Sequence, residues 1–189
     1  MIGQWFSQGK LHYDWEPMEN ISGEMAIAVV AAEDQLFPEH SGFDIKAIKN
    51  AIQKNQKSGK LRGGSTISQQ TAKNVFLWQG RSWLRKGLET YFTFLIELIW
   101  GKKRILEVYV NVCEMGPGVF GAQAAATNYF GTSAKKLSRF QAARLAAVLP
   151  SPRKWKVKNA GPYVERRTAH IQRQIRALGG VAYLKSLNL

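Results

Sequence analysis

A mainly α-helical fold with little or no sheet is predicted by three observations on this chain of 189 residues. Apolar residues recur at the three- and four-residue spacing of a helix face, hydroxyl residues stand where such stretches begin, and runs of β-branched residues with period two are absent. Each element can be justified in turn. Ser22 is an N-cap, Glu24 lies in the first turn, and Met25 to Ala32 is apolar on nearly every side, as in a buried helix. Asp44 can cap a helix with Ile45, Ile48 and Ile52 inside and Lys46, Lys49 and Lys54 outside, ended by Ser58-Gly59. Ser65 is placed as the cap of a helix running through Asn74.

A long amphipathic helix follows from about Ser82 to Trp100, with Leu84, Leu88, Tyr91, Phe92, Leu95, Ile96 and Ile99 as its inner side and Gly101 as its stop. The helix from Lys102 to Asn111 leads into the turn Gly116-Pro117-Gly118. Gly121 to Tyr129 is alanine-rich and close-packing, and Ser138 with Gln141 forms a capping box for a helix to Val148. Pro150 and Pro152 halt that helix, and the last long one runs from Pro162 to Gly179-Gly180.

The length suits one compact domain, read as residues 21–189, after an N-terminal segment 1–20. A formal net charge of +14 points to an anionic partner: nucleic acid, an acidic membrane face or a phosphorylated substrate. The single cysteine, Cys113, cannot form an internal disulfide and reads as a small buried residue. The most apolar run, Tyr91 to Trp100, is about half of what a bilayer requires and contains Glu97.

Chemistry concentrates in two stretches. Glu33 to Asp44 places a carboxylate pair, His40 and a glycine turn directly after the buried helix. A carboxylate there is partly desolvated, which raises its basicity and suits a general base; an ordinary polar turn is the competing reading. Gly63 to Asn74 offers two glycines before a helix start, then hydroxyls, amides and Lys73, which suits a phosphate or a sugar but lacks P-loop spacing. A capped surface helix is the alternative. Around these, Arg81, Arg85, Lys86, Lys102, Lys103 and Arg104 form a basic belt interleaved with Phe76, Trp78, Trp83 and Leu84, as at a membrane interface or a base-stacking surface.

Taken together the motifs resemble those of glycosyltransferase family 51, the peptidoglycan transglycosylases, and in particular their monofunctional biosynthetic class. The first family motif is met by Glu33, Asp34, Phe37, His40, Gly42 and Asp44, and the second by Gly63 to Asn74. Arg85, Lys86 and Glu89 meet the third; Lys102, Ile105, Leu106, Glu107, Tyr109, Asn111 and Gly116 meet the fourth. Gly121, Ala125, Ala126, Tyr129, Phe130, Gly131, the Leu149 to Pro152 segment and Arg166-Arg167 resemble its closing signatures.

The resemblance implies a lysozyme-like helical domain that polymerises lipid II with inversion at the anomeric carbon and release of undecaprenyl diphosphate. Glu33 and Glu89 are then the catalytic pair, Glu33 as the acceptor's base and Glu89 as a positioning acid. Lys73, Arg81 and Arg85 serve the diphosphate, Ser65, Thr66, Gln69 and Gln70 line the donor site, and Asp34 and His40 organise the loop. Glu107 and Asn111 are expected to be buried structural partners. No metal site and no required cofactor are implied, although a divalent cation can bridge the substrate's diphosphate. The implied partners are lipid II, the growing glycan and the membrane surface, with cell-division or elongation proteins open and nucleic acid excluded. The implied location is the outer, periplasmic face of the bacterial inner membrane, behind an anchor that this chain lacks. A lysozyme-type hydrolase and a basic nucleic-acid-binding module are the rival functions.

Overall fold

A computed structural model describes residues 11–44, 64–78, 80 and 82–188. The helix expected after Asp44 with its Ser58-Gly59 stop, and Gly63 and Arg81, lie outside the described residues.

The sheet is as small as the sequence predicts. β1 (His12–Tyr13) pairs in parallel with β3 (Val119–Phe120), which pairs antiparallel with β2 (Glu114–Gly116) across the Gly116-Pro117-Gly118 turn. The other longer elements among the described residues are helical: α1 (Gly23–Glu33), α2 (Ile67–Phe76), α3 (Trp83–Ile99), α4 (Gly101–Val112), α5 (Ala122–Phe130), α6 (Arg139–Val148), α7 (Pro162–Ala177) and α8 (Val181–Ser186). The last short helix, after Gly179-Gly180, has no counterpart in the sequence reading; six residues are too few to show a periodicity.

α1 is the axis of the core. Its residues Met25 to Ala31 are all buried, and it packs against α6, α7, α8 and α4. α6 is buried from Ala142 to Val148, its alanines permitting close approach, and α7 turns Val164, Thr168, Ile171 and Ile175 inward at helical spacing. α2 packs on α3 and α4, so α4 links this second group of helices to α1. Gly121, at φ +84, lets the start of α5 meet the end of α4: a Cβ there would lie 2.5 Å from the Asn111 carbonyl oxygen.

The helix starts behave as predicted at Ser22, Ser82 and Ser138, each of which accepts from a first-turn backbone N–H. At α2 the cap is Thr66 rather than Ser65: its hydroxyl accepts from Gln69 N while Gln69 Oε1 accepts from Thr66 N, a complete capping box. Ser65 lacks such a partner three residues on.

α3 meets one expectation only in part. Of the apolar stripe assigned to its inner side, Leu84 is 71% and Ile99 69% exposed and Tyr91 is exposed too, while Leu88, Phe92 and Leu95 are half-buried and Ile96 is buried. Buried beside Ile96 are Glu89 and Thr93, which lie outside that stripe. The inward polar groups find partners, Arg85 and Lys86 for Glu89, the Glu89 carbonyl for the Thr93 hydroxyl, and Ser68 and Lys102 for Glu97. Because those polar groups are satisfied, the helix can turn this side to the protein.

Candidate active site

Glu33 is the last residue of α1, and the buried helix carries its side chain to a position only 12% exposed. Both carboxylate oxygens are engaged. Gln70 Nε2 donates to Oε2 at 3.1 Å and Arg167 Nη2 to Oε1 at 3.2 Å. The Tyr109 hydroxyl in turn donates to Gln70 Oε1 at 3.2 Å, which fixes the amide with its nitrogen toward Glu33. Burial raises the Glu33 pKa above the ordinary 4.5; Gln70 and the Arg167 charge pull it back, and neighbouring Asp34 adds a further upward push. Burial also holds the Tyr109 hydroxyl well above its ordinary value, so that it remains a donor.

The loop after α1 is tied at several points. Asp34, buried, brings both carboxylate oxygens within 3.0 Å of His40 Nε2, and its Oδ2 also accepts from Ile67 N at the start of α2. Gly42 N donates to His40 Nδ1 at 3.2 Å, which leaves the ring proton on Nε2 and makes His40 a brace between Asp34 and the glycine turn. Thr66 Oγ1 donates to Gly42 O at 2.7 Å. Lys102 Nζ reaches the His40 carbonyl and Glu97 and lies 4.6 Å from the centre of the Phe37 ring. Thr66, Gln69, Asp34 and His40 thus spend these polar groups on backbone and loop, whereas Ser65 is exposed and Gln70 faces Glu33. Asn111 is buried, bonding Glu16 and the Glu107 carbonyl, and Glu107 accepts from Met18 N.

Across α2 stands a second charged group. Glu89 is buried and accepts from Arg85 Nη1 at 2.9 Å and from Lys86 Nζ. Lys73, on α2, has its pKa lowered first by burial; Glu89 and Glu33 act upward on it, and Arg85 and Lys86 downward. The ammonium therefore lies in the field of both glutamates. Arg85 Nε and Arg167 Nε are buried without a hydrogen-bond partner among the described residues, so each guanidinium retains a donor.

Two cavities adjoin the Glu33–Gln70 pair. One of about 220 Å³ is lined by residues that include Gln70, Lys73, Asn74, Tyr109, Glu114 and Pro152. Another of about 200 Å³ is lined by residues that include Glu33, Asp34, Asp44, Ser65 and Thr66. The Glu33–Gln70 pair lies between two spaces, with Lys73 toward one of them. Among the described residues no cluster of histidine, cysteine, aspartate and glutamate could hold a metal ion, and no helix is long and apolar enough to cross a membrane.

Sequence reasoning left Tyr109 and Arg167 without a role at Glu33. A signal for Arg167 exists in α7: it is three residues after Val164 and four before Ile171, both on the buried stripe, whereas Arg166 is off that stripe. Tyr109 carries no comparable local signal, because nothing in its own helix specifies Gln70 as its partner.

A family model described as Transglycosylase matches residues 2–176. A biosynthetic peptidoglycan transglycosylase of Xanthomonas campestris pv. campestris is 58% identical over 176 residues, covering 93% of this chain and 72% of the relative. Proteins of the same description from Pseudomonas putida, 59% identical over 178 residues, and Pseudomonas aeruginosa, 56% over 188, cover 94% and 98% of this chain and 75% and 81% of their own length.

Proposed function

The chain belongs to the transglycosylase family, as a peptidoglycan glycosyltransferase that polymerises glycan strands in cell-wall biosynthesis, and we propose that Glu33 is the base of that reaction. The observation that carries the proposal is the Glu33 carboxylate itself: it ends a buried helix, is made more basic by burial, and is aimed by Gln70 and Arg167. Membership in this family also sets aside the hydrolase and nucleic-acid readings that charge and helical content alone allow.

The substrate in this reading is lipid II, both as acceptor and as the lipid end of the growing strand. The acceptor's sugar hydroxyl attacks the donor's anomeric carbon as Glu33 takes its proton. The new C–O bond forms while the bond to the diphosphate breaks, and the electron pair leaves with undecaprenyl diphosphate. One direct displacement inverts the configuration. The leaving group is already ionised, so cations serve it better than an acid does. Lys73 and Arg85, with Arg81 by resemblance, stabilise the charge that grows on it. Glu89 holds Arg85 and Lys86 in place, a positioning role that fits its burial between them. No cofactor is required in this scheme.

The exposed apolar side of α3 supports a membrane-facing role for this part of the domain, at the outer face of the bacterial inner membrane. Trp83, 93% exposed, and Leu84, Phe94, Leu98 and Ile99 present apolar surface beside Arg85 and Lys86, the mixture that an interfacial helix uses. A lipid-linked substrate would reach the cleft from that surface.

Polymerisation of labelled lipid II tests the assignment. Glu33→Gln is expected to lower the rate by roughly 10²–10⁴, the contribution of a well-placed base. Equal glycan yield from the two proteins would refute the role of Glu33.

A further inference from the structure

After Pro152, which lines the cleft with Gln70 and Lys73, the chain builds a further concavity. Lys154, Trp155, Lys156, Asn159, Pro162 and Tyr163 are among the residues lining a cavity of about 250 Å³. Lys154 is two positions past Pro152, so their Cα atoms are at most roughly 7 Å apart along the chain. The cleft and the cavity are therefore neighbours by connectivity.

The Trp155 and Tyr163 rings lie 4.1 Å apart between centroids at 30°. Trp155 packs against the core while Tyr163 is 41% exposed, so the pair is anchored at one ring and open at the other. Its support is rigid. Ser151 O accepts from both Lys154 N and Trp155 N, and Arg144, itself buried, donates to Val157 O, to Glu165 and to Thr168. Asn159, at φ 51, turns the chain into α7. Lys154, Lys156 and Lys158 are exposed along the same segment. None of this is used by the reaction at Glu33.

We propose that this cavity is a distal subsite for the growing glycan strand, in which the Trp155–Tyr163 pair takes the C–H face of a sugar and Lys154 and Lys156 take free carboxylates of its stem peptides. It rests on the reading of the protein as a polymerase of peptide-bearing glycans. An aromatic pair beside cations is complementary to a saccharide that carries anionic peptides. A strand held here stays tethered near the cleft between additions, which raises its effective concentration there.

A membrane surface is the competing occupant for aromatics beside lysines. The apolar face suited to lipid is on α3, which packs on α2 and α4, whereas the 153–163 segment joins α6 to α7, which pack on α1. One ring of the pair is committed to the core, leaving little apolar area for lipid.

The test measures binding of purified, uncross-linked glycan strands to the Glu33→Gln protein, which does not depend on turnover, beside the same protein carrying Tyr163→Ala or Lys154→Gln with Lys156→Gln. Tyr163, Lys154 and Lys156 are exposed, and circular dichroism verifies the fold. Each variant is expected to bind strands roughly tenfold more weakly, about the effect of losing one good contact, and with an intact Glu33 to make shorter glycans from lipid II. Strands stripped of their peptides should lose the lysine effect and keep the tyrosine effect. Unchanged strand affinity in both variants would overturn the proposal. So would loss of binding to anionic phospholipid vesicles with strand binding intact, which would make the cavity a lipid contact. A catalytic role for Glu33 fails separately, through undiminished polymerisation by Glu33→Gln.

Discussion

α3 and α7 are both long amphipathic helices with apolar residues at three- and four-residue spacing, yet they use that pattern differently. α7 turns Val164, Ile171 and Ile175 into the core and leaves Glu165, Arg166, Arg173 and Arg176 outside. α3 turns Glu89 and Thr93 inward and holds Trp83, Leu84, Phe94, Leu98 and Ile99 out. The difference teaches that an amphipathic stripe reports a surface that avoids water without saying what will cover it. In α7 the cover is α1 and α6; among the described residues nothing covers the exposed side of α3.

The largest expected effect sharpens this contrast in stability. Ile171→Ala in α7 removes a fully buried side chain and should destabilise the protein by about 2–5 kcal/mol. Leu98→Ala in α3, at a position 70% exposed, should stay within about 0.5 kcal/mol. Urea denaturation of the two variants reads the difference as a shift of the midpoint; equal losses would mean that α3 is covered by the domain after all.

The second effect concerns what covers α3. Leu98→Asn combined with Ile99→Asn should leave the denaturation midpoint near that of the parent and weaken binding to phospholipid vesicles roughly tenfold or more, since burying each side chain in an apolar phase is worth about 1.5–3 kcal/mol. Unchanged vesicle binding would remove the membrane as the partner of this face.

The same contrast explains what could be read from the sequence. α1 was legible because it is apolar on all sides and must be buried whatever surrounds it, and the capping box at Ser138 because its partners are three residues apart. The orientation of α3 was not, because it depends on Glu89, Glu97 and Thr93 finding partners, some of them on other elements, such as Ser68 on α2 and Lys102 on α4. At the site, Glu33 stood out through the abrupt end of an apolar helix in an acid. Its hydrogen-bond partners come from positions 37 and 134 residues away, and no local pattern couples Gln70 or Arg167 to it.

The smallest effect concerns the charges that the two helices do send inward. α3 supplies Glu89, which is met by cations on its own helix; α7 supplies Arg167, which is met by Glu33 on α1. Arg167 lowers the Glu33 pKa through its charge and its hydrogen bond, against the larger upward push of burial. The proposed base, Glu33, must be deprotonated to act, so polymerisation should fall as the pH drops through a pKa lying above the ordinary 4.5. Arg167→Met removes a lowering influence and should move this acid limb to higher pH, while Arg167→Lys, which keeps the charge, should move it less. A purely structural role for Arg167 would reduce the rate at every pH and leave the limb where it was. For folding, burial makes the protonated Glu33 the better accommodated form, so its favourable contribution is complete below the unfolded value of 4.5 and lost as the pH rises through the folded one. Losing Arg167 should widen that window upward, a change that denaturation midpoints across the acidic range would follow independently of catalysis.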